Sequence, residues 1–311
     1  MANTLYRHLL RTWLVALCVL LTGCYEGTET SSQTRLVVEG WIDAGEFPVV
    51  KLTKTIHFGE DEAIELDSLS KYVERWAKVS ISDGERTEIM VGRYDSRYFP
   101  PFIYTSYDMR GEAGKEYSLK VETPDGVVAE ATTTIPQPSS VDSFRIEPTE
   151  TDTLFHLYAY TGCRRRCKFF AKVENEDTEY LSSILGLLDT GMIAADGKVS
   201  VRRGRSNMVK GNSQFFKAGE TVRVKFSTLD DASYDYWRSF EDMIGLSRVP
   251  LMAVSTNLKS NVKGALGYWC GYGSAYYKVR INPNVPLQPS APARCSQPPT
   301  GGNTQNPIQR K

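Results

Sequence analysis

From residue 34 to residue 137, apolar and polar positions alternate with a period of two, in short runs separated by turn residues. Arg35–Ile42 is rich in β-branched and aromatic residues. Pro48–Ile56 sets Val50, Leu52 and Ile56 on one face. Ala77–Ser82 alternates cleanly, Asp83-Gly84 supplies a hairpin turn, and Thr87–Gly92 returns. Glu116–Glu122 alternates again, Pro124-Asp125-Gly126 turns, and Val127–Ile135 completes a second hairpin. Period-two runs joined by Asp-Gly turns are the pattern of half-buried strands in hairpins. About seven such strands in about a hundred residues, with no helical stripe among them, predict an immunoglobulin-like β-sandwich over 34–137.

Pro136-Gln137-Pro138-Ser139-Ser140 reads as a linker, and the pattern beyond it changes. Leu154–Tyr160 and Lys168–Val173 read as strands flanking a Cys163–Cys167 tip. Tyr180, Leu181, Ile184, Leu185 and Leu188 recur at helical spacing, interrupted by Gly186. Thr221–Phe226 is a strand, and Leu229–Ser233 opens the one clear helix. Its stripe is Tyr236, Trp237, Phe240, Met243 and Ile244, with Gly245 placed to end it. The fold class expected is mainly β: the sandwich, then a second β-rich (α+β) domain over 138–285 with one amphipathic helix. Residues 286–311 hold six prolines and Gly301-Gly302, the composition of a disordered tail.

The N-terminus carries a different signal. Arg7 and Arg11 precede nine consecutive apolar residues, Trp13–Leu21. A bilayer span needs about 20 such residues, whereas the apolar centre of an export signal needs about 7–15. Leu21-Thr22-Gly23-Cys24 follows. A branched residue, two small ones and a cysteine resemble the site at which bacterial lipoproteins are acylated and cleaved. The alternative is an ordinary signal peptide beside an unrelated cysteine. The expected organisation is a signal peptide over 1–23, lipidation at Cys24 and a polar tether over 24–33. Stable anchoring needs more than one acyl chain. Tyr25 is not the aspartate associated with inner-membrane retention, so the outer membrane is the expected address, with the periplasmic or surface face left open.

Composition narrows the rest. The chain has 37 basic and 37 acidic residues, and removal of Arg7 and Arg11 leaves 35 against 37. Nucleic-acid binding needs a basic face that this balance does not supply. An exported chain would retain Cys163, Cys167, Cys270 and Cys295, four thiols in an oxidising compartment. They are candidates for disulfides, in any of three pairings. A zinc site is the alternative, but no histidine lies near them. No phosphate-binding glycine loop, His-Glu-x-x-His or Gly-x-Ser-x-Gly occurs, so no catalytic residue, metal or cofactor is expected.

Two aromatic clusters stand out. Tyr94, Tyr98, Phe99, Phe102, Tyr104 and Tyr107 surround Pro100-Pro101. Tyr98, Phe99, Phe102 and Tyr104 are candidate contacts for a ligand or partner, or else pack inside the sandwich. Leu266–Gly273, followed by Tyr276 and Tyr277, interleaves glycines with rings, which suits close backbone approach in a buried late strand. Trp237 and Trp269 are both expected in the core of the second domain.

Four stretches together resemble one family. They are Leu36–Ile42, Val79–Gly84, Ser227–Trp237 at the helix entry, and Asn257–Gly267 running on to Gly271-Tyr272. Over roughly 24–285 the chain is similar to the domain-of-unknown-function 4249 lipoproteins of bacteroidete-type envelopes. Ala265 stands where that pattern has a second glycine, and the tail has one cysteine where it has a close pair. The resemblance implies an envelope lipoprotein often encoded beside a TonB-dependent outer-membrane transporter, and no known activity. The function expected is therefore a non-enzymatic accessory or binding subunit of such a transporter or of another envelope complex. The alternatives are a surface adhesin or structural lipoprotein and, further off, a glycan or peptide hydrolase.

Overall fold

The computed structural model describes residues 34–55, 70–151, 153–162, 168–174, 186–189, 191, 193, 195–201, 215–247 and 258–282. The stretches expected as signal peptide (1–23), tether (24–33) and tail (286–311), with Cys24, Cys163, Cys167 and Cys295, lie outside the described residues.

The first half of the chain forms eight strands: β1 (Leu36–Asp43), β2 (Val49–Lys54), β3 (Lys78–Ser82), β4 (Thr87–Ile89), β5 (Val91–Tyr94), β6 (Phe102–Thr105), β7 (Glu116–Glu122) and β8 (Val128–Thr134). Strands β4, β3, β7 and β8 make one antiparallel sheet in that order. Strands β1, β2, β6 and β5 lie side by side in another. Between the two sheets, Val38, Leu52, Val79, Ile81, Tyr117 and Val121 form a core in which each contributes the inward side of its alternation. The mainly β fold is thus as expected. One hairpin is corrected: the return expected over Thr87–Gly92 is split. Buried Met90 takes the chain out of the four-stranded sheet after β4 and into the large sheet at β5.

The second half adds β9 (Ser143–Pro148), β10 (Leu154–Tyr160), β11 (Lys168–Glu174), β12 (Leu187–Asp189), β13 (Lys198–Val201), β14 (Phe216–Lys217), β15 (Thr221–Leu229), α1 (Asp231–Ser247) and β16 (Leu266–Arg280). β10 pairs with β9, β13 and β14 in a smaller sheet. A second core, including Phe155, Phe169, Val224, Phe226 and Tyr277, packs this half. Two expectations are corrected here. Leu188, expected on a helical stripe, lies in β12, and α1 runs through Gly245 to Ser247. Residues 175–185 are outside the described set.

The proline linker does not divide the sheets. β16 is fifteen residues long and changes partner midway. Leu266–Tyr272 run parallel to Val37–Asp43 of β1, and Tyr272–Arg280 run antiparallel to Thr221–Leu229 of β15. One eight-stranded sheet, β12-β11-β15-β16-β1-β2-β6-β5, therefore crosses the boundary expected at 137/138. Trp269 accordingly fills the first core rather than the second, and its Nε1 donates to Tyr117 O at 2.9 Å.

The glycines of β16 have steric causes. A Cβ at Gly273 would lie 2.2 Å from Pro136 O, and one at Gly271 2.8 Å from Thr134 O. The end of β8 passes over Gly271 and the linker over Gly273. On the opposite face Tyr268, Cys270 and Tyr272 meet α1 through Tyr236 and the half-buried Trp237, whose Nε1 donates to Tyr272 Oη at 2.9 Å. Asp230 caps α1: its Oδ1 accepts from Ser233 N at 2.7 Å. Its Oδ2 accepts from Thr133 Oγ1 of β8, tying the helix to the first half.

Candidate binding edge

β4 and β5 are the outermost strands of their two sheets, and Met90 joins them, so both sheets end along one short stretch of chain. Its outward positions include Ile89, Val91 and Tyr94 beside the polar Thr87 and Arg93. Among the described residues, six large hydrophobic side chains are exposed, and five lie between 76 and 107: Trp76 (84%), Ile89, Val91, Tyr94 (72%) and Tyr107 (68%). Scattered single exposures are ordinary, whereas several close together in the chain beside an edge strand make this stretch the candidate interaction surface.

The backbone beneath these side chains is held firmly. Tyr104 Oη donates to Glu74 O at 3.2 Å and accepts from Ala77 N at 3.1 Å. Burial pushes the Tyr104 hydroxyl up to about 12, against the lowering effect of the Ala77 hydrogen bond, so it stays a neutral strut. Glu74 Oε1 accepts from Trp76 N at 3.0 Å. Between those two fastenings Trp76 points into solvent. Its neighbour Arg75 lies over the Phe102 ring at 5.8 Å, and Tyr94 sits opposite Phe102 in register.

Tyr107 is placed by Glu88 of β4. That carboxylate accepts from Ser106 Oγ at 2.7 Å, Tyr107 N at 2.9 Å and Met109 N at 2.8 Å. Burial works against its charge, but the Ser106, Tyr107 and Met109 hydrogen bonds outweigh it and hold the carboxyl below its usual range. The turn after β5 is organised likewise. The Arg97 guanidinium on Asp95 is the main reason that carboxyl is lowered, with Arg93 adding to it.

Beside this edge, the solvent face of the four-stranded sheet carries a row of hydroxyls, Thr87, Ser82, Ser118 and Thr132, one per strand in register. A depression of about 440 Å³ runs over them, bounded by Lys120, Glu130 and Lys263.

The residues singled out in the sequence divide. Tyr98 and Tyr104 are buried, Tyr98 beside Val49, Ile103 and Trp41. Phe99 and Phe102 are half-buried; the Phe99 carbonyl accepts from Lys51 Nζ at 3.3 Å. Within the same cluster it is Tyr94 and Tyr107 that face solvent. Trp76, Ile89 and Val91 were not anticipated. Phase alone could have found the first: if Ala77, Val79 and Ile81 point inward, Trp76 points out.

The disulfide expectation is corrected at Cys270. It is a free thiol, fully buried among Tyr236, Tyr268 and Tyr272, and burial pushes it up to about 12. Such a thiol is an inert core residue. The late aromatic cluster is core, as expected: Tyr268, Trp269, Tyr272, Tyr276 and Tyr277 are all buried.

The family model DUF4249, a domain of unknown function, matches residues 25–277. The chain belongs to the DUF4249 family. In this DUF4249 chain the match takes in the candidate edge, the first core, most of the second, α1 and β16 as far as Tyr277. No curated protein matches it.

Proposed function

We propose that this DUF4249 protein is a lipid-anchored, non-enzymatic accessory subunit of the cell envelope. Cys24 tethers it to the outer membrane, and the edge formed by residues 76–107 grips a protein partner, a TonB-dependent transporter or another envelope complex. The observation that carries this reading is the exposure of Ile89, Val91 and Tyr94 on the edge strands β4 and β5, with Trp76 and Tyr107 exposed on the segments that enter β3 and leave β6. Large aromatic side chains are the usual anchors of protein interfaces. The backbone of Trp76 and Tyr107 is already fastened through Glu74, Tyr104 and Glu88, so binding there would order little that is not ordered beforehand.

The test is affinity purification from intact envelopes with mass spectrometry, comparing wild type with Trp76→Ala/Tyr94→Ala. A specific envelope partner retained by the wild type and lost by the double variant, at unchanged melting temperature, supports the reading. Full retention by the variant rejects the edge. A wild-type protein released without detergent rejects the anchor, for which Cys24→Ser is the matching control.

A further inference from the structure

Where β16 changes partner, a polar group lies in an apolar interior. The register sets Ser227 opposite Ser274 and Lys225 opposite Tyr276, so these side chains share one face. Asp43, at the end of β1, pairs with Tyr272 on that face. Lys225 Nζ is 2.7 Å from Asp43 Oδ2, and the two side chains are 4% and 5% exposed. Ser274 Oγ donates to Asp43 Oδ1, and Ser227 Oγ is 2.8 Å from Ser274 Oγ. The Tyr272 and Tyr276 rings flank Nζ at 5.4 and 5.6 Å. The binding edge makes no use of this group.

We propose that Lys225 and Asp43 form a modification site, at which their side chains condense into an intramolecular isopeptide bond. Three features point there. The nucleophile and the carboxyl are already within one hydrogen bond of each other, the arrangement that gives intramolecular reactions their large advantage. Keeping an ion pair away from water is expensive, whereas an amide in its place carries no charge to desolvate. The Ser274 hydroxyl is aimed at Oδ1, where charge develops when the carboxyl is attacked.

The step balances within the pair. A proton passes from Nζ to Oδ2, leaving an amine and a carboxylic acid. The Nζ lone pair attacks Cγ, and the C=O π electrons move onto Oδ1, which accepts the Ser274 hydrogen bond. A second Nζ proton moves to Oδ2. The Cγ–Oδ2 bond breaks, water leaves, and the Oδ1 electrons restore the carbonyl. Ammonium plus carboxylate becomes amide plus one water, with no oxidant or cofactor. Ser274 is a positioning residue, and Ser227 orients it. The product would tie β1 to β15 across β16, at the junction of the two halves.

Tryptic mapping of the full-length folded protein decides the matter. The expected result is a branched peptide joining 36–51 to 224–238, lighter by one water than its parts, with no cleavage after Lys225. Recovery of 36–51 and 226–238 as separate peptides overturns the proposal. That wild-type result stands even if Lys225→Met fails to fold. Ser274→Ala should lower the linked fraction at a fixed time after synthesis, a readout that packing alone does not move. An unchanged fraction would remove Ser274 from the step.

Discussion

Residues 94–107 and 266–277 are alike in composition, each dense in tyrosine and broken by glycine or proline, yet they meet opposite ends. From Gly267 to Tyr277 every residue of β16 is buried, on both faces of the sheet. In 94–107, Tyr98 and Tyr104 are buried while Tyr94 and Tyr107 stand in solvent. The difference lies in sheet order. β16 is central, with the linker and a core on one side and α1 on the other. β5 is an edge, with no strand beyond it among the described residues. Ring density therefore does not distinguish scaffold from surface; the neighbours on each side of the strand do.

The hardest blow to this contrast is to delete the central strand. A chain ending at residue 137 loses β16 and with it Trp269, so it should show no cooperative thermal transition. Independent melting of residues 34–137 would mean the first sandwich does not depend on β16. Next comes Trp269→Ala, which removes the largest fully buried side chain among the described residues. Chemical denaturation should show a loss of about 3–5 kcal/mol. Gly273→Ala drives a methyl group into Pro136 O and should cost about 1–3 kcal/mol by the same measurement.

At the edge the effects should be smaller. Glu88→Gln weakens the three hydrogen bonds holding 106–109, on the order of 1 kcal/mol. Because Glu88 is lowered in the folded state, its contribution is complete above the unfolded value of about 4.3 and is lost as pH falls through the folded value beneath it. The gap between wild type and variant should thus close in acid; a gap independent of pH would remove the carboxylate's charge from the account. Last, Trp76→Ala should change stability by no more than about 0.5 kcal/mol, as for an ordinary surface position. A large loss would place Trp76 in the scaffold.

Local order was legible because it is local. The alternation of Val79 and Ile81, the Asp83-Gly84 turn and the stripe of α1 all lie within a few residues of one another. What stayed hidden depends on pairings far apart in the chain. The parallel contact of Val37 with Leu266 leaves no trace in either segment, so the proline linker looked like a boundary. Trp269 reads as core from its own segment, but which core it fills depends on the same distant pairing. Cys270 looks like the other thiols in the sequence because burial by α1 cannot be seen in its neighbours. At the edge, Thr87–Gly92 reads as one returning strand, since nothing in Met90 announces a change of sheet.

The parallel ladder between β1 and β16 also sets a timetable. A chain made from its N-terminus delivers β1 long before β16. Until then β1 has β2 on one side and nothing on the other, with Gly40 bare where the Trp269 ring will rest. Long-range pairing of this kind slows folding and leaves an open strand edge exposed in the meantime. The central sheet cannot close before most of the chain has emerged. A protein built this way depends on whatever guards nascent chains in its compartment more heavily than its abundance of short hairpins suggests.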